Sequence, residues 1–600
     1  MNKTEDSAVL NRIKKDCEVV ASYQDIHIKL MTKCDIHHTS LYKLLNVFRH
    51  DDRLCYSRIL EDPYEFVRVP DNVFTYEKAE SIAEKFSLKG IDETSKIRAW
   101  VYDHIMFKKN QIYVDRPTLL RAFLNHFDSE AIEKLDGVLM KLPALPGKVT
   151  LPELYHIEVS ISDTIMELYQ NSCRTCSSVK PIPQISETIA NYETEENITL
   201  TKKQRKAVDI ALQFDFSVIC GLPGTGKSTI ADCICKHYED DTICLTAPTG
   251  MAVNNLRKKC KSAKKVVVGT MHKLLFDTFV QEDFESRPKI MIIDEFSMTD
   301  NVLFYRLLQW CRTFKNKLVL LADNQQLPPI GAGEPLEAIL SSGLFHTIHL
   351  KTIQRQKEGA LKQVVLKLHN PELSLIKKQD IDKQSVFFFN FSTKNIRKLI
   401  HKYELTYSNC QFVSPQHKHA EGTVEMNTLL QSVYFQDAPR KRFVPPLGMK
   451  AGNVFYEHDR VVRTVNHYSD SGMFANGDVG TITYNSAEKS VNVTYAHSGQ
   501  VQTVSIVDLY EEFALSYCLT VHKVQGSEYE NVVLLINDSH SFSWSTNNAK
   551  KLLYTAMSRA KSRCFIMGNP ELLELAQKSA CHPQLTLLLK NFSDYDVACG

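Results

Sequence analysis

At 600 residues the chain is too long for one hydrophobic core and predicts several domains. Its 72 Lys plus Arg nearly balance 70 Asp plus Glu, which excludes a globally basic polyanion binder and confines any nucleic-acid surface to local patches. The 16 scattered cysteines suit free thiols in a reducing compartment, and with neither an apolar leader nor a membrane-length apolar run the expectation is a soluble, intracellular protein.

Residues 1–190 carry amphipathic helical spacing, as in Tyr76-Glu-Lys-Ala-Glu-Ser-Ile-Ala-Glu-Lys-Phe86, and predict a mostly α-helical region. Cys34 with His37 and His38, and Cys173 with Cys176, are distant part-clusters that read as ordinary side chains rather than a zinc site. A connection follows, with Lys180-Pro-Ile-Pro183 and the acidic run Glu193–Asn197. Apolar segments at 216–220, 243–247, 290–293, 318–322 and 346–350 then alternate with helical stretches, the pattern of a parallel sheet covered on both faces, giving a first α/β lobe over 191–350. Segments 411–413, 532–536 and 563–567 predict a second lobe from 351–439 and 513–575. It is interrupted at 440–512 by short strand signals that read as a small β-barrel-like insertion, and residues 576–600 form a tail. The basic clusters Arg257-Lys-Lys-Cys-Lys261 with Lys264-Lys265, and Arg440-Lys-Arg-Phe443, read as solvated loops, with nuclear targeting or phosphate contact as the alternative.

Gly221-Leu-Pro-Gly-Thr-Gly-Lys-Ser228 directly follows the apolar run Phe216–Cys220, a Walker A loop. In such a loop Gly221, Gly224 and Gly226 let backbone N–H groups turn toward phosphates. Lys227 reaches the β/γ-phosphates, the Ser228 hydroxyl ligates Mg²⁺, and the helix opening through Thr229 adds its positive end. Met291-Ile-Ile-Asp-Glu295 reads as a buried parallel strand that delivers Asp294 to the Mg²⁺ shell and Glu295 to the attacking water.

Further segments resemble the motifs of superfamily-1 helicases, in particular the RecD/TraA group of the 5′-to-3′ branch. Leu200-Thr-Lys-Lys-Gln204 resembles the Q motif, whose Gln204 amide can pair with the adenine edge. Leu245-Thr-Ala-Pro-Thr-Gly250 and Thr270-Met-His-Lys-Leu-Leu275 are similar to single-strand-contacting motifs, which implies strand contacts at Pro248, Thr249, Thr270 and His272. Asp323-Asn-Gln-Gln-Leu-Pro-Pro329 resembles motif III and brings in Gln326; here Ala322 stands where the family has glycine. In the second lobe Ile353-Gln-Arg-Gln356, Thr520-Val-His-Lys-Val-Gln-Gly-Ser-Glu528 and Tyr554-Thr-Ala-Met-Ser-Arg-Ala560 resemble motifs IV, V and VI. Arg355 and Arg559 are then the paired arginine fingers, Gly526 and Glu528 belong to the nucleotide site, and Thr520, His522 and Lys523 touch the strand.

The resemblance implies two RecA-like motor lobes with an SH3-like insertion, the latter on Phe455–Val462, Asn466 and Phe474–Gly480, with Asn466 near the strand and His458 replacing the family's glycine. A short pin at 276–289 places Phe279 or Phe284 as a duplex wedge. In the N-terminal region Pro70-Asp-Asn-Val-Phe74 stands where the family has a helix-hairpin-helix turn, so 1–190 reads as a structural platform or protein-partner surface rather than a duplex binder. The implied activity is ATP- and Mg²⁺-dependent 5′-to-3′ translocation on single-stranded DNA with unwinding at duplex junctions, by a monomer without membrane contact. An RNA or protein-displacing motor, and a subunit of a helicase–nuclease assembly, are the alternatives.

Overall fold

In a computed structural model the chain is described over residues 52–68, 74–175, 183–280, 288–314, 316–352, 360–369, 385–418, 420–435, 439–445, 454–465, 467–469, 472–496, 498–579, 586–588 and 590–592. Short strands β1 (Val114–Asp115), β2 (Met140–Lys141) and β3 (Lys148–Thr150) form a small antiparallel sheet among the helices of the N-terminal region. Its core is aromatic: the Trp100 ring packs edge-on against Phe123 and Phe127 and stacks on His104. Helix α1 (Pro152–Thr175) leaves this core, with Leu154 in it, and enters the next, where Ile161, Ile165 and Met166 join the first lobe. The i, i+4 spacing of Leu154, Glu158 and Ser162 keeps these side chains on one face. Ile185, Ile189 and Tyr192 also pack into the first lobe, so its packing begins well before residue 191.

The first lobe is an all-parallel sheet of β4 (Phe216–Gly221), β5 (Thr242–Ala247), β6 (Lys265–Thr270), β7 (Ile290–Ile293), β8 (Lys317–Ala322) and β9 (Thr347–Leu350), ordered β6-β5-β7-β8-β4-β9. Its central strands are nearly continuous apolar runs, as burial on both faces requires. Helices α2 (Lys202–Gln213), α3 (Lys227–His237), α4 (Gly250–Lys259) and α5 (Asn301–Phe314) connect them. Strand β6 begins at Lys265, which the sequence reading placed in a solvated basic cluster; its Val266 and Val268 nevertheless pack against the core.

The second lobe is a parallel sheet too. Strands β10 (Val386–Phe389) and β11 (Cys410–Ser414) precede an interruption of β12 (Arg442–Phe443), β13 (Phe455–Tyr456), β14 (Arg460–Arg463), β15 (His467–Ser469), β16 (Gly472–Phe474), β17 (Val479–Asn485), β18 (Ser490–Tyr495), β19 (Val501–Val504) and β20 (Phe513–Leu515). The sheet is completed by β21 (Cys518–Thr520), β22 (Tyr529–Ile536) and β23 (Ala560–Gly568), in the order β10-β23-β22-β11-β21. Helix α6 (Ala549–Met557) packs on it.

The interruption is a five-stranded antiparallel sheet, β19-β18-β17-β14-β20, with two separate two-stranded pairs. Because β20 pairs with β14, this sheet runs past residue 512. Arg463 is fully buried inside it, held by Glu512, Gln502 and Tyr495. His458 adopts φ +70°, so the histidine holds the left-handed turn a glycine would take, and its N–H donates to Ile482 O at 2.8 Å.

Ten described cysteines are buried. Among the described residues no group of three or more His, Cys, Asp or Glu could hold a metal ion, and no helix is long and apolar enough to cross a membrane. Cys34, His37, His38, Cys176, Pro70–Val73 and Phe284 lie outside the described residues, as do the side chains of Cys173 and Phe279.

Candidate nucleotide site between the two lobes

The loop after β4 turns sharply because Gly224 and Gly226 take φ of +78° and +91°, values open to glycine without strain. Gly221 lies beneath the loop, where a Cβ would stand 2.6 Å from Thr225 Oγ1 and 2.9 Å from Leu350 Cβ. Lys227 opens α3, and its Nζ donates to Gly221 O at 2.5 Å and Leu222 O at 3.4 Å. Gly224, Gly226, Lys227, Ser228 and Thr229 line a cavity of about 300 Å³, completed on the first-lobe side by Asp294, Glu295 and Gln326 and on the second-lobe side by Gly526, Glu528 and Arg559. Segments more than 300 residues apart in sequence thus share one wall-to-wall pocket.

At the end of β7, Asp294 Oδ1 accepts the Glu295 N–H at 2.9 Å, and Glu295 sits at φ +51°. A left-handed glutamate is a strained backbone, a feature that concentrates at functional sites. Burial pushes both carboxyls above their usual range, opposed at Asp294 chiefly by Lys227 and at Glu295 chiefly by Arg559. Glu295 Oε1 lies 3.9 Å from Arg559 Nη1. With the Gln326 amide in the orientation its neighbours dictate, its nitrogen donates to Glu295 Oε2 and its oxygen accepts from Arg559 Nη2, each at 3.2 Å. Arg559 is buried and fixed by Thr555 O at 3.1 Å and Ser558 Oγ at 3.1 Å.

Further contacts cross the cleft. Tyr554 Oη donates to Asp323 Oδ2 at 2.8 Å, the Leu327 N–H donates to Thr555 Oγ1 at 3.0 Å, and Asn255 Nδ2 donates to Gly526 O at 2.9 Å. The insertion reaches the first lobe too: a Cβ on Gly250 would stand 2.0 Å from Ala475 Cβ. Asn255 was not singled out from sequence and Tyr554 was quoted in motif VI without a role, while Lys259, read as part of a solvated loop, stands in the last turn of α4; the available signal was helical spacing, since Ala252, Asn255, Leu256 and Lys259 fall on one face of α4 and all line the cavity.

Gln204 is tied to the phosphate loop. Its Oε1 accepts the Thr201 N–H at 2.9 Å in a capping box, and its Nε2 donates to Thr225 O at 3.0 Å, so the buried amide braces the phosphate loop. Pro248 and Thr249 follow β5, Thr270 ends β6 with His272 just after it, and Thr520 ends β21 with His522 and Lys523 just after it. Carboxyl ends of parallel strands are where open α/β sheets bind ligands. Within this set Thr249, Thr270 and Thr520 use their hydroxyls locally, accepting the N–H of Ala252, Lys273 and Lys523. Arg355 and Asn466 lie outside the described residues.

Two family models match: an AAA domain over residues 199–383 and a UvrD-like helicase C-terminal domain over 515–567. The chain is similar to the ATP-dependent RecD2 DNA helicase of Deinococcus radiodurans, 26% identical over 457 residues that cover 74% of this chain and 58% of the relative. The RecBCD enzyme subunit RecD of Mycolicibacterium smegmatis is 24% identical over 409 residues, 61% of this chain and 71% of the relative. A crystal structure of Pif1 helicase from Bacteroides with ADP-AlF3 and ssDNA overlays with a TM-score of 0.41 at 18% identity, covering 67% of this chain and 98% of that one. The chain therefore spans little over half the length of the Deinococcus protein. The two models fall on opposite walls of the pocket, and the chain is similar to RecD-type DNA helicases.

Proposed function

We propose that the chain hydrolyses ATP to move 5′ to 3′ along single-stranded DNA and to displace the complementary strand. The observation that carries this reading is the meeting of Glu295 and Gln326 with Arg559 at the P-loop, which ties the hydrolytic end of one lobe to a cation from the other. In this mechanism Lys227 leaves the loop carbonyls for the β/γ-phosphates. Glu295 orients a water in line with the γ-phosphorus and takes its proton as the new P–O bond forms and the bond to the β-phosphate oxygen breaks. Arg559 neutralises charge developing on the transferred group, and Gln326 keeps the two aligned. Ser228 and Asp294, hard oxygen donors on the same cavity, suit Mg²⁺, which when bound would neutralise phosphate charge.

Hydrolysis removes the group that both lobes grip, so the cleft relaxes and the lobes shift. Asp323–Tyr554 and Leu327–Thr555 carry that shift to the segments after β5, β6 and β21, where Pro248, Thr249, His272, Thr520, His522 and Lys523 meet the strand. Thr270 acts by capping the helix that presents His272. The antiparallel insertion, seated against Gly250, closes over the strand as an SH3-like module would. The polarity and the DNA substrate rest on the motif resemblance and on the RecD relatives.

The test is ATP-driven unwinding of duplexes bearing a 5′ or a 3′ single-stranded tail, with hydrolysis measured beside DNA and RNA oligomers. Unwinding from the 5′ tail with DNA-stimulated turnover is expected. Stimulation by RNA alone, or unwinding only from the 3′ tail, would overturn the reading.

A further inference from the structure

Lys259 stands in the last turn of α4, and its ammonium lies 3.5 Å from Glu528 Oε1 on the other side of the cleft. Lys561, from the second lobe, lies 3.5 Å from the other oxygen, Glu528 Oε2. The two lysines are not equivalent. Lys259 and Glu528 line the cavity together with Lys227, Ser228 and Asp294, and Lys561 is not among the lining residues.

The placement of Lys259 is built rather than incidental. Gly526 has φ +72°, and a Cβ there would stand 2.9 Å from Ala252 Cβ, so the turn before Glu528 presses directly on α4. Asn255, one turn before Lys259, donates to Gly526 O and fixes that contact. The face of α4 bearing Ala252, Asn255 and Lys259 is thereby turned to the cavity, and the Lys259 charge reaches Asp294, opposing the rise that burial imposes on its carboxyl.

The present partner of Lys259 is easily exchanged. The Lys259 and Glu528 side chains are 44% and 20% exposed, and a solvent-screened ion pair of that kind contributes little. A polyphosphate seated on the P-loop offers a denser negative charge and charge-assisted hydrogen bonds.

We propose that Lys259 is a further polyphosphate-binding residue, which exchanges Glu528 for the nucleotide's phosphates when the triphosphate is seated and leaves Glu528 to Lys561. The inference rests on the ATPase reading above. It makes closure of the cleft sensitive to nucleotide at its mouth as well as at its floor: one cation of the first lobe changes partner and releases one anion of the second.

The experiment is equilibrium binding of a fluorescent non-hydrolysable ATP analogue with Mg²⁺ to the full chain and to its Lys259→Gln, Lys259→Arg, Lys561→Gln and Lys227→Ala variants, together with KM and kcat for ATP. Lys259→Gln is expected to weaken binding about tenfold, the scale of one charge-assisted hydrogen bond, and to raise KM more than it lowers kcat. Lys259→Arg restores most of the affinity and Lys561→Gln stays within about twofold of the parent. Affinity in Lys259→Gln within twofold of the parent, while Lys227→Ala loses binding, overturns the inference and leaves the ATPase reading standing. Equal losses in Lys259→Gln and Lys561→Gln also overturn it, because the effect then runs through Glu528. Absence of nucleotide binding by the unsubstituted chain overturns the ATPase reading itself.

Discussion

The cleft between the two parallel-sheet lobes and the junction between the N-terminal region and the first lobe are both interfaces between packed units, yet they are made of opposite materials. The cleft is crossed by single hydrogen bonds, Tyr554 to Asp323 and Asn255 to Gly526, and by the half-exposed pair Lys259–Glu528, with Leu222 and Leu327 as first-lobe apolar members of the second-lobe core. The junction is crossed by α1, whose ends sit in two different cores, and by a fully buried glutamate. Glu158 accepts from Tyr113 Oη of the N-terminal region, Asn301 Nδ2 of the first lobe at 2.8 Å, and Thr586 Oγ1 and the Leu587 N–H of the C-terminal segment at 2.7 and 2.9 Å. Ala332 and Leu587 belong to the N-terminal core itself, and Leu588 and Phe592 to that of the first lobe. Contacts that can be re-formed with a nucleotide would let the first interface move, and contacts that are costly to break would hold the second. The loop after β8 serves both, facing the cleft at Asp323–Leu327 and the junction at Ala332.

Substitutions can break one interface and spare the other. The largest effect is expected at the floor of the cleft, where Lys227→Ala should lower ATP turnover by at least about 10²-fold in a steady-state assay, with the thermal midpoint unchanged. Next, Glu158→Ala strips four donors, three of them in buried bonds, of their acceptor. Denaturant unfolding should show a loss of about 3 kcal/mol with nucleotide affinity retained.

The nucleotide pocket was largely legible in the sequence because its residues lie in short motifs that, weak singly, follow one another in a fixed order: Lys227, Asp294, Glu295, Gln326 and Arg559 each stand in one of them, and the structure brings them to one cavity. What failed to show depends on distant partners. Gln204 sits where an adenine contact was expected, but the orientation of its amide is decided by Thr225, 21 residues on. Strand β6 starts on the lysines of a basic cluster, while β10 and β21 have four and three residues, too few to display a period. The 586–592 segment reads as a tail because its apolar residues have no regular spacing; only the fold supplies the pockets for Leu588 and Phe592. A histidine in a left-handed turn, as at His458, is likewise settled by the surrounding sheet.

Smaller effects sharpen the contrast. Tyr554→Phe removes one cross-cleft hydrogen bond, about 1 kcal/mol, and should lower DNA-stimulated kcat about fivefold while basal turnover changes less. At the junction, burial raises the Glu158 carboxyl above the ordinary 4.5, with its hydrogen bonds from Tyr113 foremost among the opposing contributions. A carboxyl raised on folding binds its proton more tightly in the folded than the unfolded chain, so its contribution to stability falls as pH rises from 4.5 to the raised value. Thermal unfolding across that window should show the unsubstituted chain losing stability relative to Glu158→Gln as pH increases.

The contrast is tested most directly by hydrogen–deuterium exchange of the full chain with and without a non-hydrolysable ATP analogue and Mg²⁺. Slowed exchange at 323–327, 524–528 and 549–559, with 152–161 and 586–592 unchanged, is the expected result. Nucleotide-dependent change at 152–161 and 586–592 with none at 524–528 and 549–559 would contradict the assignment of the moving and the holding interface.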